Sequence, residues 1–359
     1  MYKNLSATRR SILALCPLLL LTPAWAQAPW QAAFVYVAPL TDTGWVRQHD
    51  QGRLAVEQLN AAGLRVQTRY VENVAEGADA ERVIRDLARQ GHQIIFTPSF
   101  GYMEPTLKVA AEFPNVRFES ITGYQRAANV ATANARYYEG RYLAGIAAAR
   151  ASAQGLLGYV AGFPIPEVLQ GINAYTLGAR SVRPDTQVRV IWLQTWFDPA
   201  RERDAAMTLM NQGVDVLAFH TGSNAVMVAA QERGHMAIAY HSDMRKVAPE
   251  AQLLAVTHHW GEYYSQRVRA LSQGRWQSTD TWGGVREGMV RIEGFGPKLS
   301  PAVRQEVLAR QTELAQGRLK IFKGPLLDER GQLVLPAGQV MTDAQIKGMN
   351  FKVQGVRSM

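Results

Sequence analysis

The sequence alternates short runs rich in β-branched and aromatic residues with longer helical stretches, and this pattern occurs twice. The first series begins with a predicted strand at 33–37, and the second begins with one at 155–160. Strands that alternate with helices predict βαβ units and parallel sheets. The chain is therefore predicted to form two similar α/β lobes, with no low-complexity linker between them.

Individual elements can also be predicted. Apolar spacing predicts a helix over 51–62. Asp198 followed by Pro199 predicts the N-cap and first residue of another helix. Near the end of the chain, 324–341 predicts a small hairpin that turns at 328–331.

The first residues predict a targeting segment. A basic start, an apolar run over 11–21 and the small-x-small sequence Ala24-Trp25-Ala26 predict a signal peptide over residues 1–26, cleaved near Ala26. The apolar run is too short to span a bilayer. Arg9 and Arg10 leave twin-arginine export open beside the ordinary secretory route. We therefore expect a periplasmic protein.

Composition excludes several kinds of chemistry. The one cysteine, Cys16, lies in the predicted signal peptide, so thiol catalysis and cysteine-ligated zinc are excluded for the mature chain. A lipid anchor on Cys16 is not expected, because Leu15 stands where a small residue is required. The formal net charge is +9, but the basic residues are dispersed. Without a basic groove carrying interleaved aromatics, nucleic-acid binding is not expected.

The residues that follow the predicted strands are rich in aromatics and single carboxylates. Ligands of open α/β sheets bind beyond the carboxyl ends of the strands. Trp45 and Trp196, one from each predicted lobe, both lie in such segments and favour stacking on a flat ligand. Packing beneath a loop is the alternative for each. The segments lack a glycine-rich phosphate loop with a lysine.

Polar candidates accompany the aromatic ones. Asp42, Asn173 and Asp243 are expected to hydrogen-bond the ligand and set which heterocycle fits. Capping of the next helix is the alternative for Asp42, and complementing a helix dipole is the alternative for Glu167. The predicted ligand-binding residues are Asp42, Trp45, Phe100, Gly101, Tyr102, Glu167, Asn173, Trp196, His220, His241 and Asp243.

A metal site and an enzymatic site are the alternatives to a ligand-binding site. His220, His241 and Asp243, with His258 or His259, follow strands of one lobe and could form a metal site. His258 and His259 are adjacent in a predicted strand, so their side chains point to opposite faces and at most one of them could join such a site. No His-x-His spacing occurs, so we expect neither a bound metal nor a cofactor. The chain also lacks the Gly-x-Ser-x-Gly and His-Glu-x-x-His motifs of hydrolases, so we do not expect this protein to be an enzyme. A periplasmic nucleoside hydrolase is the remote alternative.

Taken together, the strand-end segments resemble the basic membrane protein family of substrate-binding lipoproteins, of the purine-nucleoside-receptor type. The resemblance covers nearly the whole mature chain. The segments that carry it are Val35-Tyr36-Val37, Asp42-Thr43-Gly44-Trp45, His49-Asp50-Gln51-Gly52, Thr97-Pro98-Ser99-Phe100-Gly101-Tyr102, Tyr138-Glu139-Gly140-Arg141-Tyr142-Leu143-Ala144-Gly145, Phe163-Pro164-Ile165-Pro166-Glu167, Gly171-Ile172-Asn173-Ala174, Trp196-Phe197-Asp198-Pro199, Tyr240-His241-Ser242-Asp243-Met244 and Phe322-Lys323-Gly324-Pro325.

This resemblance implies a type I periplasmic-binding-protein fold, in which two Rossmann-like lobes with parallel sheets enclose a ligand cleft. It implies that Trp45 and Trp196 hold a purine base between them and that Asp42 reads its edge. Lobe I is then expected to comprise 27–132 with 258–290. Lobe II is expected to comprise 133–257 with 291–359.

The family's implied partners are a small-molecule ligand and an ABC permease in the inner membrane, and we expect a monomer. The acid and the lysine that hold ribose in the nucleoside receptors correspond here to His241 and His259. A free purine base such as adenine is therefore the favoured ligand. Nucleosides and other small heterocycles are the alternatives.

Overall fold

The computed structural model describes Met1 and residues 28–359, so the predicted signal peptide lies almost entirely outside the described residues. Fifteen strands are present in this part of the chain. They are β1 (Trp30–Val35), β2 (Val66–Val71), β3 (Ile94–Pro98), β4 (Arg117–Ile121), β5 (Val130–Ala135), β6 (Leu156–Ala161), β7 (Gln187–Trp192), β8 (Val216–His220), β9 (Met236–His241), β10 (Gln252–His258), β11 (Asp280–Gly283), β12 (Val290–Glu293), β13 (Leu326–Leu327), β14 (Leu333–Leu335) and β15 (Val356–Ser358).

Helices alternate with these strands along both lobes. Within the described residues, the α-helices are α1 (Gly44–Glu57), α2 (Ala78–Arg89), α3 (Met103–Glu112), α4 (Tyr137–Ala151), α5 (Pro166–Val182), α6 (Pro199–Asn211), α7 (Ala225–Glu232), α8 (Gly261–Ser272), α9 (Pro301–Ala315) and α10 (Asp343–Lys347). Short 3₁₀ segments occupy Gln58–Ala62 and Phe100–Tyr102. No helix in residues 28–359 is long and apolar enough to cross a membrane.

Two open sheets confirm the predicted α/β fold. The first has six parallel strands in the order β2-β1-β3-β4-β5-β11. The second has the order β15-β7-β6-β8-β9-β10-β12, and only β12 runs antiparallel to its neighbour. The first five strands of each series have the same spatial order, in which the topology reverses beside β1 in one sheet and beside β6 in the other.

Within residues 28–359 the chain passes between the lobes at three places. It leaves the first sheet after β5 and enters α4, which packs against α5 and β10. It returns after β10 into α8, which packs against α1. It crosses again between β11 and β12, which belong to different sheets. The residue boundaries of the two lobes stay a prediction.

One helix differs from its prediction at a place that matters for the site. The helix predicted at 51–62 begins earlier, at Gly44, and its last turn is the 3₁₀ segment Gln58–Ala62. Apolar spacing did not predict this earlier start, because the buried residues Gln48, His49 and Asp50 in the first turns are polar. The predicted N-cap Asp198 is confirmed, since its side chain accepts a hydrogen bond from Arg201 N. The predicted hairpin is confirmed as β13 paired antiparallel with β14.

Candidate functional site

A cavity lies between the two lobes, at the carboxyl ends of both sheets. It contains about 580 Å³ of space not filled by protein atoms, part of which is open to the solvent. Its wall in the first lobe consists of residues after β1, β3 and β4, and its wall in the second lobe consists of residues at or after the ends of β6, β7, β8 and β9. The strand order reverses beside β1 and beside β6, and open α/β sheets bind their ligands at such points.

Six of the predicted site residues form part of this cavity wall. Trp45 and Phe100 come from the first lobe, and four others come from the second. The six are Trp45, Phe100, Glu167, Trp196, His220 and His241.

Trp45 is held at the second residue of α1. Its indole Nε1–H donates to the carbonyl oxygen of Pro98 at 2.9 Å, which ties the ring to the end of β3. The His49 ring packs behind it, with ring centroids 4.3 Å apart. Its orientation is therefore fixed before any ligand enters.

Trp196 follows β7 and packs on Gly162, which follows β6. A Cβ at Gly162 would lie 2.8 Å from Cε3 of the indole, so a larger residue would push the ring out of place. Phe163 meets the same ring edge to face at 4.8 Å. The loop after β8 is fixed to it, because Gly222 N donates to Trp196 O at 2.8 Å.

Glu167 and His220 form a polar edge of the cavity. His220 Nε2 lies 3.5 Å from Glu167 Oε1. Burial lowers the pKa of His220, so this contact joins a neutral imidazole to a carboxyl group. The other oxygen of Glu167 accepts a hydrogen bond from Asn134 Nδ2 at 2.8 Å. Since Asn134 lies in β5, this bond also links the two lobes.

Buried histidines lie beneath the cavity. His241 is 2% exposed and is located at the end of β9, while His258 at the end of β10 and His49 in α1 lie behind it. Burial holds the pKa of each of these three imidazoles well below the usual range. They are therefore neutral at pH 7 and act as hydrogen-bonding groups rather than as cations.

The remaining predicted site residues lie outside the cavity wall. Asp42 is exposed, and it does not cap α1, whose N-cap is Thr43 without a side-chain hydrogen bond. The Tyr102 hydroxyl donates to Val74 O at 2.6 Å, and Gly101 N donates to Glu76 Oε1 at 2.9 Å. These bonds fix the loop that carries Phe100.

Asn173 and Asp243 also have partners elsewhere. Asn173 Nδ2 donates to Phe351 O at 2.8 Å, and its Oδ1 accepts from Val353 N at 2.9 Å, so this side chain holds the C-terminal segment against α5. Asp243 pairs with Arg245 at 2.6 Å and accepts from Gln252 Nε2 at 2.8 Å. Neither residue contributes to the wall.

Some wall residues were not selected from the sequence. Most of them lie within the strand-end segments of the sequence, but their side chains gave no signal that set them apart from their neighbours. Thr122, for example, directly follows β4 and has a left-handed φ of 68°. The wall residues that were not selected are Val37, Ala38, Pro39, Thr41, Val46, Ser99, Thr122, Ile165, Phe197, Thr221 and Gly222.

The lobes touch beside the cavity. Gly44 N donates to Ser242 Oγ at 3.0 Å, although the two residues belong to different lobes. A Cβ on Gly44 would lie only 2.0 Å from the carbonyl oxygen of Gly222. This is a close backbone approach across the cleft, and the structure therefore represents a closed arrangement.

The side chains around this cavity do not match a metal site. Among residues 28–359 no group of three or more His, Cys, Asp or Glu side chains is arranged to hold a metal ion. The wall instead combines aromatic faces with a few hydrogen-bonding groups, as is typical of small-molecule sites.

Known proteins resemble this chain over most of its length. A purine-binding protein of Brucella abortus (strain 2308) is 47% identical over 335 residues, which cover 93% of this chain and 94% of the relative. A putative ABC transporter glucose-binding protein of Haloferax volcanii is 37% identical, over 82% of this chain and 74% of the relative.

A solved structure agrees with the fold. The solute-binding protein of an ABC transporter system from Aeropyrum pernix K1 superposes with a TM-score of 0.68 at 20% identity, covering 81% of this chain and 93% of that one. The family described as ABC transporter substrate-binding protein PnrA-like matches residues 30–322. The chain therefore belongs to this Bmp family of ABC transporter substrate-binding proteins.

Proposed function

We propose that this protein binds a purine, with the free base preferred, between Trp45 and Trp196 and delivers it to the permease of an ABC importer. The observation that carries the proposal is the position of these two indoles, one from each lobe, on the wall of one interlobe cavity. Stacking of a base on an aromatic side chain contributes about 1–3 kcal/mol per base. Two such partners suit a flat heterocycle.

The relatives support the ligand class. The Brucella abortus relative is named as a purine-binding protein, and it is similar over nearly the whole of both chains. The Haloferax volcanii relative is named as a putative glucose-binding protein, at lower identity. Because the cavity wall is rich in aromatic rings, we favour the purine over the sugar.

The free base is preferred to a nucleoside because of two positions. His241 occupies the place implied for a ribose-binding acid, and it is a buried neutral imidazole. His259, in the place implied for a lysine, lies 3.2 Å from Glu293 and is not on the cavity wall. Neither position offers the charged pair that the resemblance implies for ribose.

Binding proteins of ABC transporters work by closing on a ligand and docking on a permease. The crossings after β5, β10 and β11 are the places about which the lobes would open. We propose that the open form admits the base, that stacking on both indoles favours closure, and that the closed form docks in the periplasm. Only binding is required, so we propose no enzymatic activity.

The first experiment is mass spectrometry of any small molecule released from the purified, denatured protein, followed by calorimetry with adenine, guanine, adenosine, guanosine and glucose. A free base released and bound, with its nucleoside rejected, is the expected result. Equal binding of a nucleoside would overturn the preference for the base. Binding of glucose alone, or of none of these compounds, would overturn the proposal that the ligand is a purine.

Replacement of Trp196 by alanine is expected to weaken purine binding by roughly 10- to 100-fold, because one stacking partner is lost. Trp196→Phe should retain most of the affinity. Trp192, which lies in β7 outside the cavity wall, provides the matched control as Trp192→Ala. Unchanged purine affinity in Trp196→Ala, measured by calorimetry on folded protein, would contradict the stacking arrangement.

Incubation with inosine and adenosine tests the remote alternative of a nucleoside hydrolase. We expect no release of free base, measured by chromatography, at protein concentrations at which binding is detected. Turnover that scales with protein concentration would replace the transport role with a catalytic one.

A further inference from the structure

Three rings form a hydrogen-bonded chain from the crossing between β10 and α8 to the cavity. Trp260, at the N-cap of α8, donates through Nε1–H to Nδ1 of His258 at 2.8 Å. His258 Nε2 lies 2.9 Å from Nδ1 of His241. We call Trp260, His258 and His241 the ring relay. Trp260 and His258 are each 1% exposed, so water does not compete for these bonds.

The chemistry of tryptophan fixes the direction of the relay. An indole nitrogen donates a hydrogen bond and cannot accept one. Nδ1 of His258 must therefore be the unprotonated nitrogen, and the single proton of its neutral ring is on Nε2. This proton is donated to Nδ1 of His241, whose own proton must then be on Nε2. A doubly protonated His258 would lose the bond from Trp260.

The last member of the relay faces the cavity. His241 is a wall residue, and its Nε2 has no hydrogen-bond partner among the residues that the structure describes. Its backbone is left-handed, with a φ of 69°, which is costly for a residue with a side chain and is typical of functional positions. The ring of Trp45 lies 5.5 Å away at an interplanar angle of 77°. A ligand stacked on Trp45 would therefore lie beside the His241 ring.

We infer that the ring relay fixes His241 as a hydrogen-bond donor toward the cavity, so that the site selects a heterocycle with a hydrogen-bond acceptor at that point. Adenine suits this donor, because its unprotonated ring nitrogens are hydrogen-bond acceptors. His241 contacts the ligand, whereas His258 and Trp260 are positioning residues. The identity of the ligand rests on the proposed function, but the tautomer of His241 does not.

The tautomer is tested without any ligand. Two-bond ¹H–¹⁵N spectra of the histidine side chains, assigned with His241→Gln and His258→Gln, should show Nε2–H at both His241 and His258 in the ligand-free protein. Nδ1–H or a doubly protonated ring at His241 would overturn the inference. This holds whichever ligand the protein binds.

Two conservative variants test the positioning roles. In Trp260→Phe the donor to His258 is lost while an aromatic ring remains, and a mixture of tautomers at His241 is expected. In His258→Gln the amide NH₂ can still donate to Nδ1 of His241, so Nε2–H should persist there. If His241 keeps a single tautomer in Trp260→Phe, or loses Nε2–H in His258→Gln, then the ring relay does not determine the tautomer of His241.

Ligand selection is tested with adenine and its 1-, 3- and 7-deaza analogues, each of which lacks one ring nitrogen. The wild type is expected to bind one analogue roughly tenfold more weakly than adenine, since a buried donor is left without a partner. His241→Leu should bind that analogue and adenine about equally. Equal affinities of the wild type for all four compounds would overturn the proposed selection of a ligand acceptor by His241. If none of the four compounds binds, the purine proposal is overturned, and the spectra alone then test the tautomer of His241.

Discussion

Two buried polar clusters, one in each lobe, differ in how completely their hydrogen bonds are made. In the first lobe Glu119 has a side chain that is 0% exposed, and it pairs with Arg267 at 2.6 Å. It also accepts hydrogen bonds from the Tyr263 hydroxyl at 2.7 Å and from Trp276 Nε1 at 2.6 Å. Burial raises the pKa of Glu119, and the charge of Arg267 opposes that effect. We call these four residues the Glu119 cluster.

The second cluster lies beneath the cavity and is centred on Arg141, which is 0% exposed. Its Nη2 donates to Phe219 O at 2.5 Å, and its guanidinium lies 3.3 Å from the centroid of the Tyr240 ring. Within the described residues, Nε and Nη1 of Arg141 have no hydrogen-bond partner, nor do the Tyr240 hydroxyl and His220 Nδ1.

The two clusters therefore differ in role. The polar groups of the first are fully hydrogen-bonded and stabilise the fold, whereas several polar groups of the second, near the cavity, have no hydrogen-bond partner among the described residues. Buried polar groups are usually hydrogen-bonded, and unpaired ones are costly. The Glu119 cluster follows that rule and ties α8 to β4. The Arg141 cluster departs from it beside His220, a wall residue. Departures of this kind are expected at functional sites.

The largest expected effect separates the two clusters directly. Arg267→Met leaves the carboxylate of Glu119 buried without its cation, which should lower the free energy of unfolding by about 3–5 kcal/mol. Arg141→Met is the matched variant. It should cost clearly less, because it removes a buried cation that makes a single hydrogen bond among the described residues. Urea unfolding measures both, and equal losses would remove the distinction.

The next largest effect concerns closure of the cleft. A Cβ in Gly44→Ala would meet Gly222 O, so the lobes cannot approach as they do here. Overpacking of this kind costs about 1–3 kcal/mol, and we expect ligand affinity to fall roughly 10- to 100-fold. Gly91→Ala is the control, because Gly91 has a similar φ of 88° and no atom within 4 Å of a Cβ. Equal affinity losses in the two variants would contradict the role of the contact.

Acid should destabilise the cavity region through its histidines. The pKa values of His49, His220, His241 and His258 are lowered in the folded state, chiefly by burial. Below pH of about 6.5 the unfolded chain takes up protons that the folded chain does not, so stability falls as pH falls. Each histidine contributes up to about 1.4 kcal/mol per pH unit.

Unfolding by urea at pH 7.5, 6 and 5 measures this slope. His49→Gln removes one buried imidazole and should make the slope shallower than that of the wild type. A slope that does not change in this variant would mean that His49 is not a source of the acid sensitivity.

The smallest effect is expected at the surface. Asp198 accepts from Arg201 N at 3.0 Å and caps α6, just after Trp196. Asp198→Ala should cost about 1 kcal/mol of stability through the lost cap. Purine affinity should change little, because Gly162 and Phe163 hold the indole of Trp196 in place. A large loss of affinity would show that the cap positions the ring.

Local sequence patterns predicted the sheets and the strand-end aromatics, because both depend on residues close together in the chain. The alternation of strands and helices was enough to predict two parallel sheets, and Trp45 and Trp196 followed from their places after strands. Asn173 could not be placed in this way. Its partners Phe351 and Val353 come from a distant segment whose path has no local pattern.

The buried polar groups were equally hard to predict. Glu119 stands in β4 in a sequence that gives no indication of its burial, since Arg267, Tyr263 and Trp276 all come from a later segment. The link between His258 and His241 depends on two neighbouring strands and a crossing. Such contacts become visible only when the two sheets and their crossings are known.

The last strand has a consequence for the order in which the protein can fold. β15 lies at the edge of the second sheet and pairs in parallel with β7, with Ser358 opposite Val190. During synthesis the outer edge of β7 therefore stays uncovered until the much later segment β15 has been made. Until then an unpaired strand edge is open to other chains, and pairing between such distant segments is slow. Deletion of β15 should thus lower the yield of folded protein more than its ligand affinity.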